Sequence, residues 1–229
     1  ELKKRNLWGI FYVSTQPYTS ARMLDVHRIH LLCGALEGNK LLETLFNYLK
    51  EEMIPDQKIK EFREKPYSSQ KNYEGVSEFK RILNYFVSYD YRESLISKVA
   101  TQLGYKFDVH DFYVPAAKLK EMCMYGNIIG SHTVTHPVMS KLNCADQSTE
   151  ITESFAFLEE LGCQDSKTYC HPYGGFHSFN DITVETLFSQ QVEYSFNVES
   201  RDIEDSDFIS SIQCLPRFDC NEFPYGKTS

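Results

Sequence analysis

Short apolar runs recur along the second half of the chain, and one lies near its start. They are rich in β-branched and aromatic residues and end in polar ones, a pattern typical of buried strands. The runs are LWGIFYVST (7–15), NIIGSHT (127–133), KTYCHPYGG (167–175), VEYSFNVES (192–200) and IQCLPRFDC (212–220).

Other segments repeat apolar residues at helical spacing. Three of them alternate with the later runs, and these are PAAKLKEMCMYG (115–126), CADQSTEITESFAFLEELG (144–162) and NDITVETLFSQQ (180–191). ELKKRN (1–6), with cations at its end, predicts the last turn of a helix.

The stretch between the first two runs is helical in pattern almost throughout. Its predicted helices are SARMLDVHRIHLLCGAL (20–36), NKLLETLFNYLKEEMI (39–54), SEFKRILNYFVSY (77–89) and YRESLISKVATQLGY (91–105). Ser20 is the expected N-cap of the first. The charged, turn-rich residues 55–75 predict an exposed connection.

Strands that alternate with helices predict βα units and a parallel sheet or barrel. In such folds functional sites lie at the carboxyl ends of the strands. The runs end in ST, SHTVTH, HPYGG and RFD. The residues whose side chains suit catalysis or metal binding therefore lie where this fold class would place a site.

His132 in the second run and His136 just after it have three residues between them, and both lie between Gly130 and Pro137. A helical His pair that binds zinc usually brings a Glu, as in H-E-x-x-H, but these flanks favour a strand that leaves into a loop. Such a loop can direct both imidazoles at one metal ion. By spacing alone, two histidines that donate hydrogen bonds to nearby carbonyls are the favoured interpretation.

Two later segments offer further candidates. The Pro-Tyr-Gly turn in Cys170–Gly175 can point backbone N–H groups at a developing oxyanion, or it is a plain turn. Arg217 and Asp219 share one face of a strand, so the guanidinium can orient the carboxylate and keep it ionised. The alternative for this pair is a surface salt bridge of little consequence.

Composition narrows the function classes. The 229 residues carry a formal net charge of −8, which argues against broad binding to nucleic acid or anionic membranes. No apolar run reaches the length of a bilayer span. The seven cysteines are widely spaced without C-x-x-C, which predicts free thiols in the reducing cytoplasm rather than a disulfide framework or a Cys-type zinc site.

In this order the motifs resemble those of the NodB-homology polysaccharide deacetylases, carbohydrate esterase family 4. GSHTVTHPVMSKL (130–142) is similar to the second motif, His-[Ser/Thr]-x-x-His with a Leu soon after. YCHPYGG (169–175) resembles the third motif in its Tyr-Pro-Tyr-Gly variant, and LPRFD (215–219) a late-strand segment. ELKKRNLWGIFYVST (1–15) resembles the helix end and second strand of the family's barrel.

The resemblance implies a distorted (β/α)7 barrel and metal-dependent hydrolysis of acetyl groups on sugars, mainly N-acetyl groups. It implies that His132 and His136 bind Zn²⁺ or a similar divalent ion together with an aspartate. Tyr173 is implied to supply a backbone N–H to the oxyanion, and Pro172 and Gly174 of the same turn to contact the substrate. We expect one such domain over 1–229, with a helical insertion at about 20–105.

The chain also departs from the family pattern. The first motif, Thr-Phe-Asp-Asp on the first barrel strand, has no counterpart because the chain contains no Asp-Asp. We therefore expect the first strand to be missing or incomplete, and with it a metal-binding aspartate and a base. Cys170 replaces the Arg of many members, and we expect Arg217 to take its place. The late Leu-x-x-His is missing as well.

Three explanations are open: a fragment, a truncated and inactive member, or a site rebuilt from other acids, for which Asp25 and Asp219 are the candidates. The leading hypothesis is a deacetylase of N-acetylated sugars in a polysaccharide or glycan. The alternatives are an inactive carbohydrate-binding or interaction protein and, more distantly, an amide or purine-type hydrolase. A missing first strand exposes the open barrel edge, so a second copy of the chain is a candidate partner.

Overall fold

The computed structural model describes residues 1–64, 72–108, 112–163 and 166–224. The chain divides into two compact units, one formed by Glu1–Arg22 with Tyr113–Ser229 and the other by Met23–Phe112. We call the first the sheet unit and the second the helical unit. The single domain over 1–229 with an insertion at about 20–105 stays a prediction.

The helices mostly coincide with the segments of helical periodicity. In chain order they are α1 (Gln16–Thr19), α2 (Asp25–Ala35), α3 (Gly38–Tyr48), α4 (Asp56–Glu64), α5 (Asn72–Arg81), α6 (Tyr89–Gln102), α7 (Ala116–Met124), α8 (Cys144–Leu161), α9 (Asp181–Ser189) and α10 (Asp207–Ser210). Shorter 3-10 turns lie at Lys3–Arg5, Glu51–Met53, Met139–Lys141, Phe176–Ser178, Ile212–Cys214 and Cys220–Glu222, and a π-helical turn at Ile82–Phe86. Among the described residues, no helix has both the length and the apolar character that crossing a membrane requires.

The sheet unit contains a parallel sheet whose strands pair in chain order. They are β1 (Ile10–Val13), β2 (Ile128–Ser131), β3 (Thr168–Cys170) and β4 (Tyr194–Phe196). The predicted α/β class with a parallel sheet is confirmed. The distorted (β/α)7 barrel is not confirmed, because the described strands form an open sheet of four.

One face of the sheet packs against α7, α8 and α9. The apolar core on this face contains Leu119, Ile129, Met139, Ile151, Phe155, Leu158, Tyr169 and Leu187. On the other face Tyr12 lies over Gly130, where an added Cβ would come within 2.4 Å of the Tyr12 ring. The Tyr12 hydroxyl hydrogen-bonds Thr168 Oγ1 at 2.7 Å. Gly130 is therefore needed for a tyrosine to span from β1 to β3.

The fifth run, IQCLPRFDC, does not form the regular strand that its sequence predicts. Its first residues form the 3-10 turn Ile212–Cys214, and isolated bridges then join Leu215 to Phe196 and Arg217 to Glu199. Pro216 between them has no N–H to donate, which prevents a continuous ladder. The bridges still hold Arg217 beside the chain that leaves β4.

The helical unit has its own apolar core, formed by residues of α2, α3, α5, α6 and the π-helical turn, among them Ile29, Leu41, Leu45, Phe79, Leu83 and Ile96. Its first helix, α2, begins at Asp25 rather than after Ser20, because Ser20 ends α1 and Ala21 is left-handed, with φ 52°. Asp25 forms ion pairs with Arg28 at 3.2 Å and Arg92 at 3.1 Å.

The predicted exposed connection at 55–75 is largely helical. It contains α4 and the beginning of α5, and its residues 65–71 lie outside the described residues. The sequence prediction failed here because the charges of α4 suggested a loop, whereas charges are also usual on the exposed face of a helix.

Cys123, in α7, and Cys163, just after α8, form a disulfide. The prediction that all seven cysteines are free thiols is therefore wrong for this pair. Helix α8 ends at Gly162, which adopts the left-handed conformation and brings Cys163 back toward α7. Disulfides persist mainly in oxidising compartments, so the cysteines no longer support the predicted cytoplasmic location, which stays a prediction.

We expect the double substitution Cys123→Ser, Cys163→Ser to lower the free energy of unfolding by about 2–4 kcal/mol. The disulfide closes a loop with a sequence separation of 40, so its loss enlarges the unfolded ensemble. Urea denaturation of both proteins without reductant measures the difference. Cys144→Ser, at an exposed free cysteine, is the matched control. Equal stability of the double variant and the wild type would contradict the assignment.

Candidate functional site

The two motif histidines lie directly after β2, at the carboxyl end of the sheet. The His132 N–H donates to the Val13 carbonyl at 3.0 Å, which continues the pairing with β1 by one residue. The ring centroids of His132 and His136 are 4.7 Å apart, and the rings are inclined at 78°. The predicted strand that leaves into a loop is what the structure has.

The loop between the histidines is held by its own residues and by the chain after β1. Thr133 and His136 are both left-handed, with φ 66° and 57°. The Thr133 hydroxyl accepts the N–H of His136 at 3.0 Å. Ser14 donates its hydroxyl to the His132 carbonyl at 2.7 Å, and the Thr15 N–H donates to the Thr133 carbonyl at 3.1 Å.

Glu150 of α8 contacts the middle of the same loop. Its carboxylate accepts the backbone N–H groups of Val134 and Thr135 at 2.8 and 2.9 Å, and the Thr135 hydroxyl at 2.5 Å. Burial raises the pKa of the Glu150 carboxyl, and these three hydrogen bonds oppose that rise. The sequence offered no signal for this contact, because Glu150 looks like any polar residue of an amphipathic helix.

His132 is held in one tautomer. Its Nδ1 lies 2.6 Å from the Cys170 carbonyl oxygen at the end of β3. A carbonyl can only accept, so Nδ1 carries the hydrogen, and in the neutral imidazole Nε2 keeps its lone pair. Histidines that bind metals commonly donate their other ring N–H to a backbone carbonyl in this way.

The Pro-Tyr-Gly turn after β3 lies next to the histidines. The ring centroids of Tyr173 and His136 are 4.9 Å apart. Tyr173 and Gly174 are both left-handed, with φ 63° and 68°. The Val198 N–H donates to the Gly174 carbonyl at 2.8 Å, and an added Cβ on Gly174 would lie 2.3 Å from Val198 Cγ2. The turn is thus fixed against the segment after β4. The substrate contacts of Pro172 and Gly174 stay predictions.

Arg217 reaches the end of β3 from the late segment. Burial raises the pKa of the Cys170 thiol, and the charge and hydrogen bond of the Arg217 guanidinium oppose that rise. Arg217 is therefore beside Cys170, the residue that replaces the family's arginine. The Arg217 Nε is buried and forms no hydrogen bond with the described residues.

Asp219 begins the 3-10 turn Cys220–Glu222. Its side chain accepts the backbone N–H of Glu222, and the Glu222 carboxylate accepts the Asp219 N–H at 2.7 Å. This capping box gives Asp219 a structural role. Its predicted catalytic role with Arg217 stays a prediction. Asp25, the other acid considered, is in the helical unit.

His171, for which the sequence shows no partner, is buried beneath the site. Its Nε2 lies 2.8 Å from the Gln213 carbonyl, and its ring stacks on Phe179 with centroids 3.9 Å apart. Burial lowers the pKa of His171 to about 4. Its partners come from other segments of the chain, so only the fold could reveal this packing.

The histidine pair fits part of a zinc site. Two neighbouring imidazoles, one with a fixed tautomer, supply two of the three or four protein ligands that zinc uses. Within the described residues, no three His, Cys, Asp or Glu side chains are grouped so that they could hold a metal ion. The described residues thus provide a two-histidine half-site.

A family model described as Polysaccharide deacetylase matches residues 85–194 of this chain. The predicted resemblance to polysaccharide deacetylases is confirmed. The matched range contains His132, His136, Glu150 and the Pro-Tyr-Gly turn, whereas Arg217 and Asp219 lie outside it. It begins at residue 85, within the predicted insertion, so residues 85–105 are also part of the deacetylase match.

The chain also resembles a solved structure, the Streptococcus pyogenes deacetylase PplD in complex with acetate, at 14% identity and a TM-score of 0.43. The likeness covers 92% of this chain and 89% of that chain. Similarity this low carries no argument about the site. The comparison with curated proteins finds no match.

We expect His171 to make folding stability dependent on pH. The imidazole stays neutral in the folded protein to about pH 4, whereas in the unfolded chain it takes up a proton below its ordinary pKa of 6.5. Its stabilising contribution is therefore complete above that pKa and is lost as the pH falls toward 4. From pH 7 to pH 5 the loss is about 2 kcal/mol.

Urea denaturation with a chelator present, at pH 7 and pH 5, measures this loss. His171→Gln retains a side-chain N–H donor but cannot titrate, so its stability should change less between the two pH values. His177→Gln, at an exposed histidine, is the control and should keep the wild-type pH dependence. An unchanged pH dependence in His171→Gln would contradict the expectation.

Proposed function

We propose that this chain is a metal-dependent deacetylase that removes acetyl groups from N-acetylated sugars of a polysaccharide or glycan. The observation that carries the proposal is the His132–His136 pair at the carboxyl end of β2, with His132 Nδ1 tied to the Cys170 carbonyl. Both histidines lie within the residues that match the deacetylase family. A carbohydrate is the substrate class that this family suggests.

We assign Zn²⁺ or a similar divalent ion to His132 and His136. When bound, such an ion polarises an acetyl carbonyl and lowers the pKa of a coordinated water. The protein's part is to direct both imidazoles at the ion, and the fixed tautomer of His132 leaves its Nε2 lone pair for that purpose. The remaining ligand is a carboxylate in this proposal, as it is in the family.

The other predicted site residues receive distinct roles. Tyr173 supplies its backbone N–H to the oxyanion, from a turn that Val198 holds in place. Arg217 binds an acidic group with its guanidinium, a role supported by the buried Nε that forms no hydrogen bond with the described residues. Pro172 and Gly174 shape the surface on which the sugar rests. Asp219 is the candidate base.

We also propose that a second copy of the chain covers the edge of the sheet at β1. Within the described residues β1 pairs on one side only, with β2. Leu7, Trp8 and Phe11 next to this edge are 56%, 62% and 36% exposed. Light scattering should therefore give about twice the chain mass of 26.7 kDa, whereas the mass of a single chain would contradict a dimer.

A second function is favoured by the two-histidine half-site. If no carboxylate completes it, the chain is a carbohydrate-binding or interaction protein that binds glycans without hydrolysis. Glycan binding unaffected by a chelator, with no release of acetate, is the expected result for this alternative. Turnover that a chelator abolishes would exclude it.

We expect His132→Ala to abolish binding of Zn²⁺, because a single imidazole cannot retain the ion. Metal analysis and calorimetric titration with Zn²⁺ measure binding, and acetate released from an N-acetylglucosamine oligomer measures activity. His177→Ala, at an exposed histidine, is the matched control and should behave as wild type. A wild-type protein that binds no metal and releases no acetate would refute the deacetylase proposal.

A further inference from the structure

The carboxylate of Glu150 contacts the loop between the motif histidines. The three groups that it accepts belong to Val134 and Thr135, the two residues in the middle of His-x-x-x-His. One oxygen binds both backbone N–H groups and the other binds the Thr135 hydroxyl. A carboxylate engaged in this way is poorly placed to bind a metal or to accept a proton from water.

The loop needs such a contact because its backbone is strained at both ends. Thr133 and His136 are left-handed residues that carry a side chain, a conformation that is costly relative to ordinary backbone. A conformation of this kind persists only when its surroundings hold it. Glu150 binds the two residues between the strained positions, and therefore limits the conformations open to His136.

Helix α8 is anchored on the other side of His132 as well. The Ser154 hydroxyl hydrogen-bonds that of Ser131, the residue before His132, at 2.6 Å. Glu150 and Ser154 are four residues apart and so lie on the same face of α8. This face contacts the motif before its first histidine and again between the two histidines.

We propose that Glu150 is a positioning residue that sets the relative placement of His132 and His136 for metal binding, and that it is neither a metal ligand nor a base. This inference rests on the deacetylase proposal for its metal, but the loop geometry that it concerns can be measured without one.

The test compares Glu150→Ala with Glu150→Gln, and uses Glu153→Ala, at an exposed position of the same helix, as the matched control. Loss of a partner that orients a metal-binding histidine typically weakens metal affinity about 10- to 100-fold. We expect that loss for Glu150→Ala in calorimetric titration with Zn²⁺. Glu150→Gln should lie closer to wild type, because its amide oxygen can still accept the two backbone N–H groups. Glu153→Ala should match wild type.

A second readout uses the metal-free protein. In ¹H–¹⁵N spectra, the signals of the His136 backbone and imidazole should be the same in wild type and in Glu153→Ala, and should shift or broaden in Glu150→Ala. Thr135→Val removes one of the three hydrogen bonds and should give a smaller change in the same direction. This milder variant keeps the test decisive if Glu150→Ala does not fold.

The two proposals fail in different ways. Wild-type protein that binds no Zn²⁺ overturns the deacetylase proposal and, with it, the metal role of Glu150. Wild-type protein that binds Zn²⁺, together with a Glu150→Ala variant of unchanged affinity and unchanged His136 signals, overturns the inference about Glu150 alone. A lower melting temperature with unchanged affinity would give Glu150 a merely structural role and would also overturn it.

Discussion

The backbone pairing between β1 and β2 continues past the ends of both strands, and the candidate site depends on that continuation. Before the strands, the Ile128 N–H donates to the Gly9 carbonyl, and after them the His132 N–H donates to the Val13 carbonyl. The N–H groups of Thr15 and Gln16 then donate to the carbonyls of Thr133 and Val134. A shift of this register by one residue would turn His132 to the opposite face of the sheet. The backbone hydrogen bonds between the two segments thus set the position of the imidazole pair independently of any side-chain contact.

The neighbouring elements then fix the imidazoles and the loop, which the backbone pairing alone does not hold. The Cys170 carbonyl at the end of β3 accepts a hydrogen bond from His132, and Glu150 of α8 accepts two backbone N–H groups of the loop. The turn after β3 brings Tyr173 to His136. Left-handed residues with side chains occur in both the loop and the turn. Such backbone is costly alone, so its presence where three elements meet indicates a geometry that the surrounding contacts maintain.

The sequence predicts those parts of the molecule that local pattern determines. The apolar runs located β1 to β4, and Asn180 and Gly162 mark helix ends that the structure has, as an N-cap and a left-handed C-cap. The histidine motif was found because its spacing is local. Contacts between distant segments could not be found in this way. Cys123 and Cys163 are 40 residues apart, and Glu150 meets a loop 15 residues earlier in the chain.

Cys170 and Arg217 illustrate why position in space matters more than position in a motif. A buried thiol whose pKa is raised stays protonated at neutral pH, so Cys170 carries no charge that would neutralise its neighbour. The guanidinium of Arg217 arrives there from a segment that follows β4, guided by the bridge to Glu199. Glu199 is itself ion-paired with Arg201 at 2.7 Å. The Arg217 guanidinium thus places a positive charge beside β3, as the resemblance leads us to expect, and its role in the site stays a prediction.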